Sequence, residues 1–138
     1  MGKKKRVVLI DGSSYLYRAF YALPPLTGPK GQPTGAIYGF IRMLSKLMND
    51  LNPEYIAVVF DLPGETFRHK EYREYKATRK ETPDELKFQI SPLKEIIRLW
   101  GIRIVEMPGY EADDIIATLA KRGKEKGFEV IVVTPDKD

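Results

Sequence analysis

An α/β fold with a mostly parallel sheet is what this sequence predicts, on three observations. Short runs rich in β-branched and aromatic residues, at 6–10, 55–60, 102–106 and 129–134, alternate with stretches whose apolar residues recur at helical spacing. The helical stretches are about 10 to 17 residues long, enough to carry a right-handed crossover between parallel strands. Three of the four runs are followed at once, or within two residues, by an aspartate. At 138 residues with 43% hydrophobic side chains, the chain has material for one domain with a sizeable core.

The elements follow in order. Residues 6–10, Arg-Val-Val-Leu-Ile, form a strand that ends in the turn pair Asp11-Gly12. Ser13 or Ser14 caps a helix that carries Leu16, Ala19, Phe20 and Leu23 on one face, and Pro24-Pro25 stops it. The glycines and prolines of 26–33 mark an irregular loop. A second helix from Thr34 to about Asp50 buries Ile37, Phe40, Ile41, Leu44, Leu47 and Met48, and residues 55–60 read as a fully buried strand ending at Asp61. Thr82-Pro83-Asp84-Glu85 is a capping box with proline at the first helical position. The helix it starts runs through Leu86, Ile90, Leu93, Ile96, Ile97 and Trp100, and Pro92 should kink or divide it. A strand at 102–106, a helix at 111–126 ended by Gly127, and a strand at 129–134 complete the pattern.

Composition removes several chemistries. With no cysteine there is no disulfide, thiolate metal site or cysteine nucleophile. The apolar run behind the basic residues Lys3 to Arg6 is only four residues long, too short for a signal peptide or membrane span, so a cytoplasmic location is expected. Neither a GxxxxGK[ST] phosphate loop nor a GxSxG nucleophile elbow occurs, and His69, the one histidine, lies among charges as a surface residue. The net charge of +4 is segregated. Residues 3–6 are all basic, and 68–80 hold six basic and two acidic residues, so the remainder sums to −4. A polyanion suits the basic segments, whereas the acidic remainder repels phosphate unless cations intervene.

In open parallel sheets, ligands bind beyond the carboxyl ends of the strands. Asp11, Asp61 and Asp136 fall there, with Asp138 two residues on, and Glu111, Asp113 and Asp114 open the helix that follows the third strand. Any one of these acids is an ordinary Asx turn, cap or dipole partner, so their coincidence carries the signal. Seven carboxylates held together repel one another, and a hard divalent cation, Mg²⁺ or Mn²⁺, relieves that cost. Two such ions about 4 Å apart suit phosphodiester cleavage. Glu111 and Asp114 share a helix face from which Asp113 is rotated, so Glu111 and either Asp113 or Asp114 are suited to serving different ions. After Asp61, residues 64–80 are rich in charge and poor in aliphatics, and are expected to be mobile without a ligand. Drawn as a helix, the segment puts Arg68, Tyr72, Tyr75 and Arg79 on one stripe, which suits a single strand with stacking bases; the plainer alternative is a solvated helix laced by pairs such as Lys70 and Glu74. Arg18, on a polar stripe with Ser14 and Tyr21 that begins beside Asp11, is a candidate phosphate contact.

The stretches VVLIDGSSYLYRAFYALPPLT (7–27), GQPTGAIYGF (31–40), AVVFDLPGETFRHKEYREYKATR (57–79), TPDELKFQI (82–90), PGYEADDIIATLA (108–120) and TPDKD (134–138) together resemble the 5′ nuclease family. These are the 5′-3′ exonucleases and flap endonucleases whose members include the domain at the start of bacterial DNA polymerase I. The resemblance implies a three-layer PIN-like (resolvase-like) fold with a mostly parallel central sheet and a flexible helical arch over 64–80. It implies that Asp11, Asp61, Glu111, Asp113, Asp114, Asp136 and Asp138 are metal-site acids for two Mg²⁺ or Mn²⁺ ions. Tyr75, Lys76 and Arg79 resemble arch residues that hold the 5′ single strand, with Lys76 and Arg79 near the scissile phosphate, and Arg18 resembles a further phosphate contact. The implied activity is metal-dependent 5′-3′ exonuclease and 5′ flap cleavage in DNA replication and repair by a monomer associated with the nucleoid. Its partner is DNA with a 5′ flap, a nick or a free 5′ end. Residues 1–138 correspond to the N-terminal part of that domain, the front of a longer protein. Two further aspartates for the second metal and a helix-three-turn-helix element that grips the duplex are not among them. The alternative is therefore a nucleic-acid-binding fragment with little or no catalysis.

Overall fold

The computed structural model describes residues 5–22, 28–29, 31, 33–61 and 84–135. Four strands and four helices lie among them: β1 (Arg6–Asp11), α1 (Gly12–Ala22), α2 (Gly35–Leu51), β2 (Tyr55–Val59), α3 (Asp84–Leu99), β3 (Arg103–Val105), α4 (Ala112–Glu125) and β4 (Glu129–Val133). The strands form one parallel sheet in the order β3-β2-β1-β4. The arch segment 64–80, the first half of the capping box (Thr82 and Pro83) and the acids Asp136 and Asp138 lie outside the described residues.

Alternation along the strands builds the layers. Val8 and Ile10 of β1, Val58 of β2 and Phe60 just beyond it pack on one face against Leu16 of α1, Phe40 and Leu44 of α2, and Leu86, Leu93 and Ile97 of α3. On the other face Leu9 and Val59 meet Ala112, Ile115 and Ile116 of α4. Three helices, the sheet and one helix thus make the three layers. Being covered on both faces, the central strands carry the nearly continuous apolar sequence of a buried parallel sheet. Asn52 ends α2 in the left-handed region (φ 43°, ψ 57°), its N–H donating to the Met48 carbonyl, as an αL cap does.

The structure corrects four details of the sequence reading. Pro92 sits inside α3, which runs from Asp84 to Leu99 without being divided, the second of the two outcomes expected there. The missing N–H forfeits one bond, and Pro92 lies on the exposed side, where the carbonyl it leaves is open to solvent. Ile96 and Trp100 face outward, each 38% exposed, because the buried line of α3 is Leu86, Gln89, Leu93 and Ile97. Tyr55, expected to be buried, is exposed at the amino edge of the sheet. Buried Gln89 has no apolar signature. Its Oε1 accepts the Ile37 N–H at 3.0 Å and its Nε2 donates to the Glu85 carbonyl at 3.0 Å, so both ends of the amide are satisfied while it ties the first turns of α2 and α3.

Candidate active site at the carboxyl edge of the sheet

All four strands point the same way, so their carboxyl ends and the starts of α1 and α4 meet at one edge. Asp11, the last residue of β1, is 2% exposed. Its position depends on Gly12, since a Cβ there would lie 2.6 Å from Val58 Cγ1 and 3.0 Å from two ring carbons of Phe60. The chain turns into α1 at this close approach, and the carboxylate accepts two hydrogen bonds from the new helix, from Ser14 N–H at 3.2 Å and Ser14 Oγ at 2.8 Å. Ser13 reaches sideways, its Oγ accepting the Asp61 N–H at 2.8 Å. Asp61 in turn accepts the Ala112 N–H through its carboxylate, which supplies from β2 the side-chain cap that Glu111, the N-cap residue of α4, does not itself make. A relay of hydrogen bonds therefore joins the ends of β1 and β2 to the first turn of α4. The sequence offered Ser13 only as a cap for its own helix, and neither its bond to Asp61 nor the capping role of Asp61 was anticipated.

Electrostatics mark the same edge. Burial pushes the Asp11 carboxyl above the ordinary carboxylate range; the Ser14 hydrogen bonds oppose this, and the charges of Asp113 and Asp61 add to it. Arg18, one turn beyond Ser14, donates to the Pro135 carbonyl at 3.3 Å, beside the end of β4. At the β2–β3 side, Lys94 of α3 pairs with Glu106 at 2.8 Å.

The donors suit a hard divalent cation: oxygen ligands, one deeply desolvated, acting repulsively on each other. The described part of the edge is still an incomplete cage. Among the described residues no three His, Asp or Glu side chains are grouped closely enough to hold an ion. Of the predicted site, Asp11, Asp61, Glu111, Asp113, Asp114 and Arg18 are placed at this edge, while Arg68, Tyr72, Tyr75, Lys76, Arg79, Asp136 and Asp138 lie outside the described residues.

Residues 6–138 match the family model of the 5′-3′ exonuclease N-terminal resolvase-like domain. The chain belongs to this family. It is a nuclease family, and the chain is 54% identical over 134 residues to a 5′-3′ exonuclease of Aquifex aeolicus (strain VF5), a match covering 97% of this chain and 46% of that protein. It is 50% identical over 135 residues to DNA polymerase I of Bacillus caldotenax, covering 98% of this chain and 15% of the relative. The chain thus spans about half the length of the first relative and a smaller share of the second. In fold it is similar to the bacteriophage T5 D15 protein co-crystallized with metal ions, with a TM-score of 0.69 at 17% identity, over 96% of this chain and 50% of that one. A T5 D15 flap endonuclease in a pseudo-enzyme-product complex with DNA and metal ions superimposes with a TM-score of 0.61 at 18% identity, over 96% of this chain and 50% of that one. Within this exonuclease-domain family the three-layer arrangement agrees with the expectation from sequence. Among the described residues no helix is long and apolar enough to cross a membrane.

Proposed function

We propose that residues 1–138 are the N-terminal part of a divalent-metal-dependent 5′ nuclease, and that by themselves they bind nucleic acid with little or no cleavage. The carrying observation is Asp11, buried at the carboxyl edge with Asp61 and Asp113 acting on it, in an edge whose described acids do not gather into a three-ligand group. The acids that would hold Mg²⁺ or Mn²⁺ are Asp11, Asp61, Glu111, Asp113, Asp114, Asp136 and Asp138. When bound, the ions supply a nucleophilic water and stabilise the leaving oxygen of the phosphodiester. The chain supplies the rest. Ser14 fixes the Asp11 carboxylate, Asp61 holds the α4 turn against β2, and Arg18 stands at the end of β4, where a phosphate oxygen of the cleaved strand would meet it. Lys76 and Arg79 are assigned to the scissile phosphate, where charge grows in the transition state. Tyr72, Tyr75 and Arg68 are assigned to stacking and backbone contact with a single strand. The substrate of the whole protein is read as DNA with a 5′ flap, nick or free 5′ end, met by a monomer in the cytoplasm at the nucleoid.

The test compares the 138-residue chain with a fusion of it to the C-terminal half of the Aquifex aeolicus exonuclease. Calorimetry with Mn²⁺ is expected to show one weak site in the chain and two in the fusion, and a 5′-flap substrate is expected to be cleaved by the fusion alone. Two tight sites and full cleavage by the short chain would overturn the proposal. In the fusion, Lys76→Ala is expected to slow cleavage by about 10²–10³ while weakening DNA binding far less, since a cation at the scissile phosphate acts mainly on the transition state. Equal turnover removes Lys76 from the mechanism.

A further inference from the structure

Lys94 and Glu106, at the β2–β3 side of the edge, form the most enclosed ion pair among the described residues. Lys94 Nζ lies 2.8 Å from Glu106 Oε2, with the side chains 14% and 23% exposed, and Arg98 stands 3.9 Å from the other carboxylate oxygen. The same ammonium sits 5.1 Å from the ring centroid of Phe60, itself buried and stacked on Phe40 at 6.0 Å. Two carbons of the Phe60 ring, Cε1 and Cζ, lie 3.0 Å from where a Cβ on residue 12 would stand, beside the nearer Val58 Cγ1 at 2.6 Å. The Phe60 N–H donates to the Val105 carbonyl at 3.0 Å, so the residue is also tied to β3. Close approaches therefore lead from Glu106, after β3, through Lys94 of α3 and the Phe60 ring, to the space that a side chain at position 12 would need. At one end of the Phe60 backbone is Asp61, and at the near side of Gly12 is Asp11.

We propose that Lys94 and Glu106 are positioning residues that clamp the Phe60 ring against Gly12 and so set the spacing between Asp11 and Asp61. An apolar pair would fill this volume as stably, since buried ion pairs give back in desolvation much of what they gain. One cation held between one carboxylate and one ring face has a single arrangement, which an apolar pair lacks. Groups that orient ligands from outside the first layer commonly change metal affinity 10–100-fold, and this pair belongs to that class of effect. The inference rests on the metal-dependent reading above for its consequence, although the spacing itself is a property of the protein alone.

The experiment uses the 138-residue chain with two readouts: the ¹H-¹⁵N resonances of Gly12 and Asp61, and Mn²⁺ affinity by calorimetry. Lys94→Met is expected to shift both amides, through the ring current of the displaced Phe60, and to weaken Mn²⁺ binding by about tenfold or more. Lys94→Arg, which keeps a cation over the ring, is expected to restore the wild-type amide positions and most of the affinity. Leu119→Ala, on the opposite face of the sheet from Phe60, serves as the purely structural control, losing melting temperature from the packing of α4 without moving either readout. Should Lys94→Met fail to fold, Glu106→Gln takes its place with shifts of the same sign. Unmoved Gly12 and Asp61 amides in the folded variant overturn the clamp, and so does a loss of Mn²⁺ affinity as large in Leu119→Ala. A wild-type chain that binds no Mn²⁺ strikes the metal reading instead, and the amide shifts still decide the clamp.

Discussion

Asp11→Asn is expected to raise the melting temperature of the metal-free chain at neutral pH while removing its response to Mn²⁺. The sign comes from linkage. Burial, with help from Asp113 and Asp61, holds the folded carboxyl above its ordinary value, so between the unfolded and folded values the native state binds the proton more tightly. Stability contributed by the protonated form is complete below the unfolded value, about pH 4, and is lost as pH rises through the folded one. At pH 7 the ionised side chain therefore works against the fold. Asparagine removes the charge and keeps both links to Ser14, accepting from its N–H and donating to its Oγ. The advantage of the variant over wild type should shrink as pH falls toward 4. Divalent metal reverses the ranking: at 100 times the dissociation constant, ligand binding stabilises the wild type by about 2.7 kcal/mol. The variant is expected to bind Mn²⁺ at least about 100-fold more weakly, since even outer-layer changes reach that size. Thermal melts at pH 4, 5.5 and 7, with and without Mn²⁺, check both halves. An equal Mn²⁺ shift in the two proteins would take Asp11 out of the metal site.

The second large effect is on stability. Gly12→Ala places a methyl group 2.6 Å from Val58 Cγ1 and 3.0 Å from the Phe60 ring, and both side chains are buried with little room to yield. Overpacking of this kind costs about 1–3 kcal/mol, which for a domain of this size lowers the melting temperature by roughly 4 °C per kcal/mol. The contrast is Gly31, where φ is +80° but nothing among the described residues lies within 4 Å of an added Cβ. There the cost is backbone strain alone, of order 1 kcal/mol. Denaturant unfolding of both variants separates the mechanisms, and a Gly12→Ala protein as stable as wild type would mean that β1 and β2 are free to part at this point.

The sheet was legible because strands covered on both faces must be apolar at nearly every position, and residues 7–10 and 56–60 meet that demand without competing readings. Helix faces were harder. Spacing placed Ile96 and Trp100 beside Ile97, but the exposed arc of α3 begins there, and a buried glutamine, Gln89, occupies the position that periodicity assigns to an aliphatic. The acids at the carboxyl edge could be anticipated from where strands end, since topology brings such positions together regardless of detail. What each acid does locally was not. Whether Asp61 caps a neighbouring helix, or whether the charge of Asp113 reaches Asp11, depends on rotations of one side chain or one helical step, and these are set by contacts between segments some 50 to 100 residues apart in sequence. Ser13 was weighed only as a cap for its own helix, though its hydroxyl serves a different strand.

The sheet order has a consequence for how the molecule is made. β1 is central, and its flank toward β4 is filled by residues 129–133, with Arg6 pairing with Glu129 at 3.2 Å across 123 positions of chain. On a ribosome adding about 5–20 residues each second, the first strand waits roughly 6–25 s for that neighbour. During the wait Val7, Leu9 and the unsatisfied backbone along that flank are open to whatever else is near, including the same strand of another nascent chain. Contacts this distant along the chain also make refolding slow. The nascent protein is thus most dependent on shielding by chaperones in the interval before β4 emerges.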